Sequence, residues 1–275
     1  MRPTPPDVVK ELEVFPWEHC HAVLWDEVTE IDAKLALDPD NADLWMERGL
    51  ALGKQCLFRE ETEALSRAIA LEPFCGIYYR HRGHRFLSCW RFEDACADFT
   101  IASRLIPDNW DVWYHLGLSH YLLGSYEKAA EAYHRCYELT KDDSKLIAVT
   151  DWYWITLQRL GRPEEAQALL DRITTGMDAG DNGSYYRRLL MYKGLIDPAE
   201  LLPQEGTPDE NIQLITMGYG LSNYYDYLGD REKSDGIINK ILSIGDRDWY
   251  QAFGYLAAMV DKHNRANHTG GNAKP

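Results

Sequence analysis

Apolar positions recur every three to four residues along most of the chain, and the runs are punctuated by glycine or proline. The clearest stretch, WYHLGLSHYLLGSYEKAAEAYHRCYEL (113–139), reads as two amphipathic segments broken at Gly124. A 3.6-residue period brings positions i, i+3, i+4 and i+7 onto one face, so the pattern predicts helices rather than strands. The same reading holds for WYWITLQRLGRPEEAQALLDRI (152–173) with its break at Gly161, and for GYGLSNYYDYLGDREKSDGIINKIL (218–242) with its break at Gly229. DWYQAFGYLAAMVDKHNR (248–265) predicts a closing helix ahead of a polar tail, and 23–41 ends like the second helix of a pair. The stretch 174–210 is richer in Gly, Pro and Asp; it predicts a helix over Tyr185–Lys193 and a short turn near Asp197–Leu202.

Self-similarity then organises these pairs. Stepping 34 residues from Trp45 gives Tyr79 and Trp113; Gly49 leads to Gly83 and Gly117, and Phe58 to Phe92 and Tyr126. Leu65 leads to Phe99 and Tyr133, Ala68 to Ala102 and Cys136, and Pro73 to Pro107, with Lys141 at the third place. A proline ends the second helix, because it lacks an amide and disfavours helical geometry in the residue before it. The glycine admits a close neighbour, and the aromatic and small columns interlock as knob and gap.

These columns resemble the tetratricopeptide repeat family, and 113–139 carries its Trp, Leu-Gly, Gly-x-Tyr and Ala signature almost intact. Glu61, His120 and Lys141 depart from single columns. The resemblance implies an all-α fold, a right-handed superhelical α-solenoid of helix-turn-helix repeats, each contacting mainly its neighbours. The chain is expected to be a single such domain. A partial repeat at 23–41 precedes clear repeats at 42–75, 76–109 and 110–143 and a degenerate one at 147–176, where Trp154 fills the usual glycine column. An irregular insert (177–210), a repeat (211–245), the closing helix (248–265) and a flexible tail (266–275) complete it. The layout is loosely similar to bacterial tetratricopeptide adaptor lipoproteins, without a lipidation signal.

The stretch YYRHRGHRF (78–86) interleaves two roles. At ~100° per residue, Tyr79, Gly83 and Phe86 share a packing face, while Ile77, Arg80, His84, Leu87 and Ser88 share another. The resemblance implies that this second face lines a concave groove for extended peptides or partner helices. Register along the array extends it to Met46, Leu50, His81, Tyr114, His115, Leu118 and Tyr121, then Asp151 and Ile155, then Tyr219, Asn223 and Asp226. Arg80 has two readings: recognition of an acidic group on the partner, or pairing within the array. For Arg82, Arg85 and Arg91 the expected partners are in-chain acids: Glu60, Glu61, Asp94 or Asp98. The family's carboxylate clamp is absent, since Met46 and Leu50 stand where its first Lys and Asn would fall and Asp111 and His115 replace its cations.

Composition narrows the function. The net charge of −15 argues against nucleic acid, and no apolar run reaches the ~20 residues that cross a bilayer, so membrane insertion is not expected. Six scattered cysteines without CxxC, and an N-terminus without a secretory apolar core, lead to the expectation of a cytoplasmic protein, although a trimmed leader would leave the same sequence. No metal, cofactor or catalytic motif is assigned. His81, His84 and His115, and separately His19, Cys20 and His21, are weighed as ligands and set below groove or packing roles. DAGDNG (178–183) lacks the acid that would close a calcium loop and reads as a turn. The expectation is a non-catalytic adaptor that binds a protein or peptide. The alternatives are a self-associating protein, a homodimer using the groove or the run QAFGYLAAMV (251–260), and a histidine-dependent metal-binding regulator or enzyme.

Overall fold

The computed structural model describes residues 23–204, 206, 209–244 and 249–269; the His19-Cys20-His21 run and the end of the polar tail lie outside the described residues. Every regular element among the described residues is helical. The helices are α1 (Asp26–Leu35), α2 (Ala42–Lys54), α3 (Phe58–Leu71), α4 (Gly76–Ser88), α5 (Phe92–Leu105), α6 (Trp110–Leu122) and α7 (Tyr126–Leu139). They continue as α8 (Asp143–Arg159), α9 (Pro163–Leu169), α10 (Gly183–Tyr192), α11 (Glu210–Tyr227), α12 (Arg231–Ser243) and α13 (Phe253–Thr269). Contacts group them into two compact units, 23–119 and 120–269.

One hydrogen bond accounts for two of the repeated columns. Trp45 donates Nε1–H to the Pro39 carbonyl at 2.8 Å, Tyr79 donates its hydroxyl to Pro73 at 3.1 Å, and Trp113 donates Nε1–H to Pro107 at 2.7 Å. The proline ends the helix and the aromatic closes the following turn onto it. At the fourth place Lys141 and Ile147 stand instead, so proline and aromatic donor are lost together. The glycine column works within each pair: a Cβ on Gly83 would lie 3.1 Å from the Phe99 ring, and one on Gly49 would lie 3.0 Å from Leu65 Cγ. Trp154 breaks this rule and finds another partner. It stacks on Tyr192 of α10 with ring centroids 3.8 Å apart, so the insert helix packs where the tight approach is lost.

The turn inside each pair needs a left-handed residue. Gly124, Gly161 and Gly229 supply it with φ of 71°, 68° and 81°, whereas the earlier copies place Cys56 and Trp90 there with φ of 60°. A side chain in that region costs roughly 1–2 kcal/mol. Cys56 is exposed, so Cys56→Gly is expected to stabilise the 23–119 unit by about 1 kcal/mol, read as an upward shift of its urea midpoint with an unchanged slope.

The degenerate pair departs from the expected shape: α9 has seven residues and passes into a 3₁₀ turn at Leu170–Arg172. In the insert, α10 begins two residues before the expected helix, and a 3₁₀ turn at Pro198–Glu200 falls inside the expected turn. The closing helix starts at Phe253 rather than 248 and runs on to Thr269.

Candidate functional site

In the 23–119 unit the first helix of each pair offers an equivalent face: Asp43, Met46, Glu47 and Leu50 on α2, and Ile77, Arg80, His81 and His84 on α4. Spacings of three and four residues put each set on one side of its helix. Met46, Leu50, Ile77, Arg80, His81 and His84 are half-buried. Tyr114, His115 and Leu118 of α6 are buried, Leu118 completely.

Arg80 does not wait for an acid. Its Nε–H donates to Asp111 Oδ2, and its Nη1–H donates to His81 Nδ1 at 3.0 Å. Burial alone would raise the Asp111 carboxyl, but the hydrogen bonds and charges of His115 and Arg80 hold it well below the usual carboxylate range. Burial and the neighbouring Arg80 charge lower His81 to about 4, and burial together with His115, Arg80 and Arg85 lowers His84. Both imidazoles are therefore neutral at physiological pH. His84 meets His115 edge to face at 5.0 Å, and His115 stacks on Phe99 at 5.5 Å. The histidines are packed as aromatics, and the Arg80 guanidinium sits on Nδ1 of His81. Among the described residues no group of three or more His, Cys, Asp or Glu is placed to hold a metal ion.

The remaining arginines of the basic stretch pair inside the chain as expected. Arg82 makes a bidentate contact with Asp98, both bonds at 2.8 Å; Arg91 meets Asp94 at 2.6 Å; Arg85 meets the buried Glu61. The Arg85 guanidinium also lies 4.2 Å over the Phe58 ring. Burial pushes the Glu61 carboxyl up to about 7 against the pull of Arg85. Glu61 fits because Gly53 leaves room, since a Cβ there would collide with the carboxylate.

The 120–269 unit corrects the expected groove. Tyr121 donates its hydroxyl to that of Tyr219 at 2.6 Å, and Tyr219 donates to Asp261 Oδ2 at 3.1 Å. Arg159 Nη2–H reaches the same oxygen at 2.5 Å and Asn223 Oδ1 at 2.7 Å, and Asn223 Nδ2–H donates to the Tyr219 carbonyl at 2.8 Å. Asp151 is fully buried on Arg188, and Ile155 is fully buried. Tyr121, Asp151, Ile155, Tyr219 and Asn223 are therefore spent on packing within their own unit, and no partner reaches them without rearrangement. The closing helix is the reason for much of this: Gly254 through Asp261 are all buried, and Asp261 anchors the network. Of the run 251–260, residues 254–260 are packed inward, and Gln251, Ala252 and Phe253 are half-buried. Sequence reasoning missed Asp261, whose signal was an isolated acid at the end of an apolar run. It also missed Tyr78, which is buried and donates to Asp43 Oδ1 at 2.7 Å.

The five described cysteines (56, 75, 89, 96 and 136) are unbridged, and no described helix is long and apolar enough to cross a membrane.

Comparison with known proteins places this geometry. The tetratricopeptide repeat family matches residues 110–143. The chain is similar to the lipoprotein NlpI homolog of Haemophilus influenzae, 25% identical over 207 residues, which cover 74% of this chain and 63% of that protein. It is also similar to anaphase-promoting complex subunit 3 of Schizosaccharomyces pombe, 24% identical over 153 residues, covering 54% of this chain and 22% of that protein. The chain thus spans less than two thirds of the length of either relative. Among solved structures, MamA aligns with a TM-score of 0.49 at 18% identity, covering 61% of this chain and 86% of that one. YrrB, described as a tetratricopeptide protein with an unusual peptide-binding site, aligns at 0.48 and 17% identity, covering 84% of this chain and 97% of that one. One tetratricopeptide repeat is matched directly at 110–143, the same 34-residue helix pair recurs before it, and the fold is an all-α solenoid of helix-turn-helix units.

Proposed function

We propose that this chain is a non-catalytic interaction module that holds a peptide or helix of another protein against the first-helix faces of its 23–119 unit. The observation that carries the reading is the half-open apolar row Met46, Leu50 and Ile77, at repeat-equivalent faces of α2 and α4. On other faces of the same helices Ala51, Leu52 and Tyr78 are each at most 1% exposed. A row left partly open in a well-packed repeat is the kind of surface on which partner side chains gain burial. The buried counterparts in the 120–269 unit turn the working surface toward the first unit. The fission-yeast relative is by name a subunit of a protein complex, which accords with an interaction role.

The test is selection of random 12-residue peptides on the immobilised full chain, followed by affinity measurement for the enriched sequences. Met46→Ala/Leu50→Ala is expected to weaken them about 10- to 100-fold while circular dichroism is unchanged, in line with ~1–3 kcal/mol for two apolar anchors. Equal affinity for both proteins would move binding off this face.

A further inference from the structure

The charges on the same face point to the class of partner, an inference that rests on the reading just given. The face carries three carboxylates, Asp43, Glu47 and Asp111, against one guanidinium, Arg80. Arg80 is already engaged: Asp111 takes its Nε–H and His81 its Nη1–H. Its neighbours His81 and His84 add no charge at neutral pH, because burial and adjacent cations lower both. An incoming acid at Arg80 would compete with a carboxylate of the chain itself, already on Arg80 and beside His115, and would lose solvation for little gain.

The α2 side is different. Asp43 and Glu47 are exposed, one turn apart, and flank Met46 and Leu50. Asp43 uses Oδ1 to accept from Tyr78 at 2.7 Å, which fixes the carboxylate of this exposed residue. Glu47 makes no hydrogen bond or ion pair among the described residues. Two carboxylates at (i, i+4) beside apolar anchors match a segment in which apolar side chains alternate with cations.

We propose that the partner segment is a basic amphipathic one: leucine- or phenylalanine-type side chains seat on Met46, Leu50 and Ile77, and lysine or arginine pairs with Asp43 and Glu47. The Arg80–Asp111 pair is a selectivity device that excludes acidic segments. This replaces the expectation of an acidic group at Arg80.

The peptide selection described above tests this on the full chain at physiological salt. Sequences enriched on the unaltered protein are expected to carry Lys or Arg beside apolar residues, with Asp and Glu depleted. Asp43→Asn/Glu47→Gln keeps the Tyr78 hydrogen-bond acceptor and is expected to weaken those peptides roughly 3- to 30-fold, as two partly exposed ion pairs allow. Removing two acids elsewhere, Glu30→Gln/Glu131→Gln, is expected to change affinity less than 2-fold, which separates local pairing from the attraction of a protein of net charge −15. Enrichment of acidic peptides on the unaltered protein would overturn the inference, as would equal losses for the two double variants. If Met46→Ala/Leu50→Ala weakens binding and Asp43→Asn/Glu47→Gln does not, the charge assignment fails while the surface stands. If neither does, the surface itself is wrong.

Discussion

Arg188→Ala is expected to destabilise the 120–269 unit by about 3–5 kcal/mol, the largest effect of any single change considered for this chain. Arg188 on α10 and Asp151 on α8 are both fully buried, with Nη2 and Oδ2 2.7 Å apart. The guanidinium also donates to the Thr216 carbonyl at 3.1 Å and to the Tyr192 hydroxyl at 3.4 Å, and it lies 5.2 Å over the Tyr185 ring. Burial pushes the Asp151 carboxyl up to about 7 even with Arg188 pulling it down. Without the arginine, Asp151 must sit protonated in an enlarged cavity or carry an unpaired charge, and either state is unfavourable. The pair itself is not what stabilises the unit. Desolvation of two charges offsets most of their attraction, so Asp151→Leu/Arg188→Met is expected to recover to within about 1 kcal/mol of the parent. Hydrogen exchange of the α8, α10 and α11 amides reads both variants. A single variant as protected as the parent, or a double variant as damaged as the single, would refute the assignment.

Gly254→Ala is expected to cost the same unit about 2–3 kcal/mol. An added Cβ would stand 2.7 Å from the Ile215 carbonyl oxygen and 3.1 Å from Ile215 Cγ2. The first of these is backbone in the middle of α11, which cannot swing aside as a side chain can. The contrast is Gly236 on α12, where a Cβ meets nothing within 4 Å. Gly236→Ala is expected to stabilise by about 0.5–1 kcal/mol through helix propensity alone. Thermal unfolding of the two variants should therefore shift in opposite directions. Shifts of the same sign would mean that α13 does not close against α11 as described.

The helix pairs of 42–143 were legible because their determinants are local. Trp45 and Pro39, Gly83 and Phe99, and the left-handed place at 56, 90 and 124 lie within one pair or one turn of each other in sequence. What was not legible depends on distant contacts. Tyr121 meets Tyr219 across 98 positions and Arg159 meets Asp261 across 102. Helical register alone places Tyr121, Tyr219 and Asn223 on a first-helix face, and it does so correctly. It does not reveal that α13 folds back and fills the space before them. For Arg80 the reading of a pair within the array is the one found, although its acid, Asp111, comes from the next repeat and was not among the acids expected. The partners of Arg82, Arg85 and Arg91 lie within one helix pair or its neighbour, and they are three of the four acids expected: Asp98, Glu61 and Asp94. Trp154 shows the opposite case. Its size in a glycine column marked the point where the regular repeat gives way to the insert, although the stacking on Tyr192 needed the three-dimensional structure.

The central claim is that the half-open face of α2 and α4 is where the chain meets its partner. Methyl resonances test it directly. A peptide enriched on the full chain is titrated into protein labelled at methionine, leucine and isoleucine methyls. Saturable shifts are expected at Met46, Leu50 and Ile77, with Ile101 on α5 and Ile238 on α12 unmoved. Shifts centred on Ile101 or Ile238, with Met46, Leu50 and Ile77 in place, would contradict it.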